Sequence, residues 1–246
     1  MKFPKSTLLL IPITAMALSG CSGEKKKSPT PSSTSAQQPA PSTPSPPPTF
    51  TSAQTRKSLI LPKEVGPGMQ EIKVIANALQ DRKIPICSLA TAEISGKPEI
   101  ITRQLSNKAE PQKEVKYTQV VARYDEANEA RTAYTNLRKR TASCPPKQHV
   151  KPKKIRENFT LFAHDDTWKI REEKISGWEH VRGIERQEYS SSTSKYNILH
   201  VMYDYAVRGN LLIATLYYER TEPGKSGAPI EQRATKVLTK QLQKIG

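Results

Sequence analysis

Clustered metal ligands are missing from this chain. Its four histidines, His149, His164, His180 and His200, are scattered through the second half, whereas a metal site needs ligands that converge. No metal and no cofactor is expected. Long apolar runs are missing too. The apolar stretch at residues 8–18 is interrupted by Pro12, and it falls well short of the ~20 residues that cross a bilayer as a helix. Acidic residues are few, 23 Asp and Glu against 39 Lys and Arg, for a net charge of +16. There is no internal repeat and no nucleophile motif, so an enzyme is not expected. Cysteine occurs three times.

One of those cysteines carries the strongest signal. Lys2 and Lys5 precede the apolar stretch, and Leu18-Ser19-Gly20-Cys21 follows it. Basic end, apolar middle and small residues in that order form an export leader over residues 1–20. The last four residues resemble the bacterial lipoprotein signal of aliphatic, small, small, Cys. A retained transmembrane helix and ordinary secretion are the weaker readings. The resemblance implies a thioether-linked diacylglycerol on Cys21, which becomes the first mature residue. At ~0.8 kcal/mol per buried methylene, the acyl chains would hold the protein on the outer face of the cell membrane. Lys25, Lys26 and Lys27 are either solvated charges or contacts to anionic headgroups, the first being favoured.

Residues 28–55 are Pro, Ser, Thr, Ala and Gln in the main, with eight of the chain's 20 prolines between Pro29 and Pro48. Apolar content is too low to offset the entropy of ordering, so residues 21–56 are expected to be a disordered linker. Its reach lies between roughly 30 Å as a coil and roughly 100 Å fully extended.

Residues 57–246 have the size of one ordinary domain. A short element is expected at 58–65 and a strand or short helix at 72–79. A strand is expected at 116–124. Residues 125–143 form the clearest helix, with Asp125 as N-cap and Ala127, Ala130, Tyr134 and Leu137 on one stripe, stopped by Cys144-Pro145-Pro146. Strands are expected at 167–175 and 179–189. Residues 196–207 and 211–219 alternate strongly about Arg208-Gly209-Asn210, which predicts an antiparallel hairpin at the centre of a sheet. Residues 229–245 read as a closing helix with Ile230, Ala234, Val237, Leu238, Gln241 and Ile245 inward. The fold class is α+β, an antiparallel sheet with packed helices.

Cys87 and Cys144 remain as an even pair in an exported chain, which favours a disulfide. A catalytic cysteine would need a partner base that the sequence does not offer. The segments at 59–68 (LILPKEVGPG), 86–89 (ICSL) and 122–145 (ARYDEANEARTAYTNLRKRTASCP), with the later VRGNL hairpin at 207–211, resemble PknH-like sensor domains of actinobacteria. In that family an early Cys, a strand, an Ala-rich helix and a Cys-Pro follow in this order. The resemblance implies an extracellular α/β sandwich with a ligand cleft, on serine/threonine kinases or stand-alone lipoproteins. Some relatives carry two disulfides where this chain offers one. No kinase domain is present, so signalling would need another protein.

Six of the 39 basic residues and one of the 23 acids precede residue 57, leaving +11 on residues 57–246. The densest patch is Lys147, Lys151, Lys153, Lys154 and Arg156, in a Pro-punctuated loop around His149. It is the candidate anion-binding patch, for phospholipid headgroups or an anionic envelope polymer, against the simpler assignment of a solvated surface. Export argues against nucleic acid. Among the aromatics Phe159, Phe162, Trp168 and Trp178, the two tryptophans are the candidates to line a cleft for an unknown small molecule, with core filling as the competing assignment. Asp165-Asp166 reads as a turn, with the two side chains pointing apart. The functional expectation is a lipid-anchored extracytoplasmic protein with a sensor-like binding domain. The alternative is a structural lipoprotein that holds anionic cell-wall polymer.

Overall fold

The computed structural model describes residues 46–74, 82–88, 90–109, 113–157, 159–192 and 194–246. The export leader, Cys21, Lys25 to Lys27 and most of the linker lie outside the described residues, as does the greater part of the element expected at 72–79. The described chain begins with helices α1 (Ser52–Lys57) and α2 (Pro62–Val65). Strands β1 (Gln70–Ile72), β2 (Lys83–Pro85), β3 (Thr91–Glu93), β4 (Glu99–Ser106) and β5 (Val115–Arg123) lead into helix α3 (Ala127–Ala142). The second half runs β6 (Lys147–Val150), β7 (Lys153–Arg156), β8 (Phe159–Leu161), β9 (His164–Ile175), β10 (Trp178–Tyr189), β11 (Ile198–Arg208), β12 (Leu211–Thr221) and α4 (Ala228–Ile245).

Eight strands form one antiparallel sheet in the order β1-β4-β5-β12-β11-β10-β9-β6, with β2–β3 and β7–β8 as separate two-stranded sheets. The β11–β12 hairpin sits at its centre, as its alternation predicts. The register Val201↔Tyr218, Tyr203↔Leu216, Tyr205↔Ala214 and Val207↔Leu212 puts those side chains on one face. That face is covered by α3 and by the β2–β3 segment, through Ala130, Ala133, Tyr134, Leu137, Ile84 and Ile86. The opposite face is covered by α4 and the α1–α2 segment. Ile230, Ala234 and Val237 meet Ile60, Tyr117, Met202 and Tyr217 there, and Leu238 and Leu242 meet Phe50 and Trp178. Gln241 is an inward polar residue with partners at both of its polar atoms. Its amide accepts from Ile60 N–H at 2.6 Å and Gln119 Nε2 at 2.7 Å and donates to the Ser58 carbonyl at 3.0 Å, so neither its oxygen nor its nitrogen is buried without a partner.

Three expectations need correction. The folded part begins before residue 57. Phe50 is only 8% exposed and its ring stacks 6.1 Å from that of Trp178. Helix α1 starts in a capping box between Thr51 and Gln54, which satisfies two otherwise orphaned backbone donors. The clasp on this segment comes from far along the chain. Asn210 accepts from Phe50 N–H at 2.8 Å and donates to the Phe50 and Tyr124 carbonyls at 3.1 and 2.8 Å. Gly209 beside it has φ +53°, and a Cβ there would lie 1.7 Å from the Pro48 carbonyl oxygen. The hairpin turn therefore needs a glycine both for its backbone and for the passing linker.

The second correction is at α3, where the N-cap is Glu126, without a side-chain cap bond. Asp125 lies one residue too early and instead approaches Arg123 at 3.8 Å. Third, Asp165 and Asp166 belong to strand β9, not a turn. Their side chains do point to opposite faces, with Asp165 exposed and Asp166 buried.

The Cys87–Cys144 disulfide is present, with Cα atoms 6.2 Å apart. It fastens the segment after β2 to the end of α3. Among the described residues no helix is long and apolar enough to cross a membrane.

Candidate functional site

The expected tryptophan cleft does not form. Trp178 is fully buried on the α4 face, beside Phe50 and Leu238. Trp168 is 7% exposed and lies on the α3 face, so the two indoles are separated by the sheet. Trp168 fills a space that a glycine leaves open. A Cβ on Gly183 would stand 2.0 Å from its Cη2, and its ring meets Tyr203 at 5.4 Å. Both tryptophans are core. Two shallow grooves occur elsewhere. One of about 530 Å³ is lined by Glu71, Lys73, Ser106, Lys108, Glu114 and Lys116, and one of about 480 Å³ by Arg171, Glu231, Thr235 and their neighbours.

The basic patch is on β6, β7 and the residues between them. Lys147, Lys151, Lys153 and Lys154 are all exposed, while the side chain of Arg156 lies outside the described residues. His149 is exposed too, 2.8 Å from Asp165.

The buried chemistry is on the α3 face, and strand alternation puts it there. Register Trp168↔Glu185 and Asp166↔Gln187 between β9 and β10, and Glu185↔Val201 between β10 and β11, aligns Asp166, Glu185 and Gln187 with the inward side chains of β11. All three are nearly fully buried. Ser88, next to the disulfide in the turn after β2, reaches down between the two carboxyl groups. Its N–H and Oγ both lie 2.8 Å from Glu185 Oε1, and its Oγ also contacts Asp166 Oδ2 closely. Gln148 of β6 donates through Nε2 to Asp166 Oδ2 at 3.1 Å and to Ser88 Oγ. Tyr203 donates to Glu185 Oε2.

Proton accounting decides how this cluster is charged. One hydroxyl has one proton, so Ser88 cannot donate to both acids. Burial pushes the Glu185 carboxyl up, reinforced by the Asp166 charge and only partly offset by Tyr203 and Ser88. For Asp166 burial works in the same direction, but the hydrogen bonds from His164, Ser88 and Gln148 outweigh it and hold the carboxyl below its ordinary value. The consistent arrangement is a protonated Glu185 donating to Ser88 Oγ, and Ser88 donating to an ionised Asp166. His164 completes it. Its Nδ1 is 2.8 Å from the Phe162 carbonyl and its Nε2 3.2 Å from Asp166 Oδ1. Burial opposes its charge, yet Asp166 and the Phe162 carbonyl prevail and raise its pKa. Two carboxyl groups with opposed shifts over one hydroxyl mark this as the candidate site. Ser88 and Gln148 are only half-buried and form its accessible side.

A second buried cluster lies under α4. Asp204 accepts from Arg182 Nε at 2.6 Å, from Arg182 Nη2 at 3.1 Å and from His180 Nε2 at 2.8 Å, while Arg182 also reaches Thr235 of the helix. Burial would raise Asp204, but Arg182 and His180 outweigh it and lower its pKa. This cluster is sealed beneath the helix and is a structural strut. Among the described residues no group of three or more His, Cys, Asp or Glu side chains is arranged to hold a metal ion.

Sequence reasoning passes over Ser88, Asp166, Glu185 and Gln148 as site residues. The one available signal is parity: Val181, Gly183, Glu185 and Gln187 alternate inward on β10, so a Glu and a Gln occupy positions that ought to be apolar.

No protein-family model matches the chain, and no curated protein is significantly similar to it. Among solved structures it is similar to the extracellular domain of PknH from Mycobacterium tuberculosis, at 11% identity and a TM-score of 0.46, covering 80% of this chain and 98% of that one. It is also similar to an uncharacterised protein of Mycobacterium smegmatis, the Rv0999 ortholog, at 10% identity and 0.32, covering 78% and 94%. A third is the protein of unknown function PA94 from Pseudomonas aeruginosa, at 13% identity and 0.29, covering 68% and 94%. Similarity of this degree is silent on what the chain binds.

Proposed function

We propose that this chain is a lipid-anchored protein of the cell exterior whose domain binds a small polar ligand at Ser88, Gln148, Asp166 and Glu185. The observation that carries the reading is the shared hydroxyl. Two buried carboxyl groups meet on Ser88, and that serine is only half-buried. Such a cluster offers acceptors to a ligand rich in N–H or O–H donors, a polyol or an ammonium group.

Binding is favoured over catalysis by the order of the groups. A nucleophilic serine needs a base with a pKa near neutrality on its hydroxyl. Here the group on Ser88 is Asp166, whose carboxyl is held low, and the imidazole of His164 lies behind it. That carboxylate is too weak a base to activate a hydroxyl.

The test is to titrate the isotope-labelled full chain with myo-inositol and with ethanolamine while following the Ser88 amide and the Gln148 side-chain amide by NMR. At least one probe should shift both signals, and Ser88→Ala should abolish the response. Silence toward both classes refutes the reading. For the anchor, Cys21→Ala should abolish labelling by a palmitate analogue and release the protein from membranes.

A further inference from the structure

We infer that Lys147, Lys151, Lys153, Lys154 and Phe162 form a surface that docks on an anionic lipid bilayer. All four lysines are exposed, and none has an ion pair among the described residues. Elsewhere lysines are engaged: Lys116 with Glu114 at 2.9 Å, and Lys240 and Lys244 with Glu64 at 3.3 and 2.7 Å. Of the acids nearby, Asp165 is taken up by His149 at 2.8 Å, which leaves Glu157 as the local counter-charge. Four lysines against Glu157 leave a surplus of positive charge over a short stretch of chain.

Phe162 lies beside this lysine-rich stretch. Strands β7 and β8 pair Lys153 with Leu161 and Lys154 with Thr160, so the residue after Leu161 lies alongside the 151–153 segment. Its side chain is 56% exposed, the largest value among the big hydrophobic residues described, ahead of Leu61 at 45% and Ile170 at 40%. The hairpin that presents it is a sheet of its own, separate from the eight-stranded one.

An exposed aromatic ring beside a run of exposed lysines suits one environment in particular. Headgroup phosphates take the lysines, and the ring reaches the boundary with the acyl chains. A soluble polyanion would use the lysines equally well but would leave the ring in water. That asymmetry selects the membrane. Lipid on Cys21, which belongs to the proposed function, would keep the surface within reach of a bilayer, but the docking itself requires only these five residues.

The experiment uses the full chain made without lipid at Cys21, carrying Phe162→Trp as a fluorescent reporter. Trp168 and Trp178 are buried and supply a constant background. Mixed phosphatidylglycerol–phosphatidylcholine vesicles should shift the reporter's emission to the blue, and the shift should fade as salt rises. Replacing Lys153 and Lys154 by Gln should weaken vesicle binding about 25-fold, at roughly fivefold per lysine. Phe162→Ala should weaken co-sedimentation of the otherwise native chain with the same vesicles. Unchanged melting temperatures would show that each variant is folded. An emission that does not move, or moves equally on pure phosphatidylcholine, overturns the proposal. So does binding to soluble polyphosphate without any response to vesicles, which would make this a polymer site. Binding through the apolar leader alone would leave the reporter's emission unmoved.

Discussion

Breaking the Cys87–Cys144 bond should damage both the fold and the candidate site, by separate routes that can be measured separately. The bond closes a loop with a sequence separation of 57. In the chain-entropy model a loop of that length contributes about 4 kcal/mol by restricting the unfolded chain. For a domain of 150–250 residues, ~1 kcal/mol moves the melting temperature by roughly 2–4 °C, so a Cys87→Ser/Cys144→Ser variant should melt roughly 8–16 °C lower. The local route runs through Ser88, the residue after Cys87. Its amide donates to Glu185 at 2.8 Å and its hydroxyl bridges both acids, so releasing Cys87 frees the turn that holds it. Thermal unfolding followed by circular dichroism reads the first effect, and amide hydrogen exchange at Ser88 reads the second. A fully reduced chain, verified by thiol count, that melts within ~2 °C of the oxidised one would refute the loop argument. Unchanged exchange at Ser88 would refute the link between bond and site.

Two further outcomes follow from the α3 face. Gly183→Ala brings a methyl group to 2.0 Å from Cη2 and 2.4 Å from Cζ2 of Trp168, far inside the 3.5–4.0 Å of ordinary carbon contact. Overpacking of this kind costs about 1–3 kcal/mol, so the midpoint of urea unfolding should fall and the near-ultraviolet dichroism of Trp168 should change; an unaltered midpoint would mean that the indole has room to move. Glu185→Gln should flatten the pH dependence of stability. The folded Glu185 titrates above its ordinary value of 4.5, so its contribution is fully present below that pH and is lost as pH rises through the raised value. The variant should gain on the wild type as pH climbs from 4.5 toward neutrality, and a constant difference across that window would contradict a protonated Glu185.

The elements that the sequence reveals are those whose partners are near in the chain or whose periodicity is strong. The β11–β12 hairpin shows itself because Leu199 to Val207 and Leu212 to Tyr218 alternate about Arg208-Gly209-Asn210, of which Gly209 and Asn210 form the two-residue turn. Helix α4 does so because Ile230, Ala234, Val237, Leu238 and Gln241 recur at helical spacing and are buried. Phe50 and α1 are hidden within a Pro/Ser/Thr tract, since what orders them is Asn210, 160 residues downstream. Strand β4 is half-buried along most of its length, which leaves Ile, Thr, Arg and Gln without clean alternation. Strands β6 and β7 lie in lysine-rich chain that reads as loop, and only the pairing of β6 with β9 shows its place at the sheet edge. The candidate site escapes for a further reason. Ser88, Gln148, Asp166 and Glu185 come from a turn and three separate strands and share no motif.

Strand β10 also explains why one buried polar cluster is the candidate site and the other a strut. Its even residues His180 and Arg182 face α4, and its odd residues Glu185 and Gln187 face α3. Under α4 the buried carboxylate of Asp204 is neutralised by the Arg182 guanidinium, a charge that does not change at any pH the protein meets. Breaking that pair would strand a charge in the core, which ties the helix to the sheet through Thr235. Across the sheet no guanidinium faces Glu185, and burial raises its carboxyl, which favours the protonated form. A proton is a removable counter-charge. In the proposed binding reading, a ligand that brings its own positive charge or donor hydrogens takes its place beside Ser88, and no such exchange is open to Asp204. One face of β10 thus supplies the fixed counter-charge of Asp204 on β11, and the other face carries Glu185, which has no such partner.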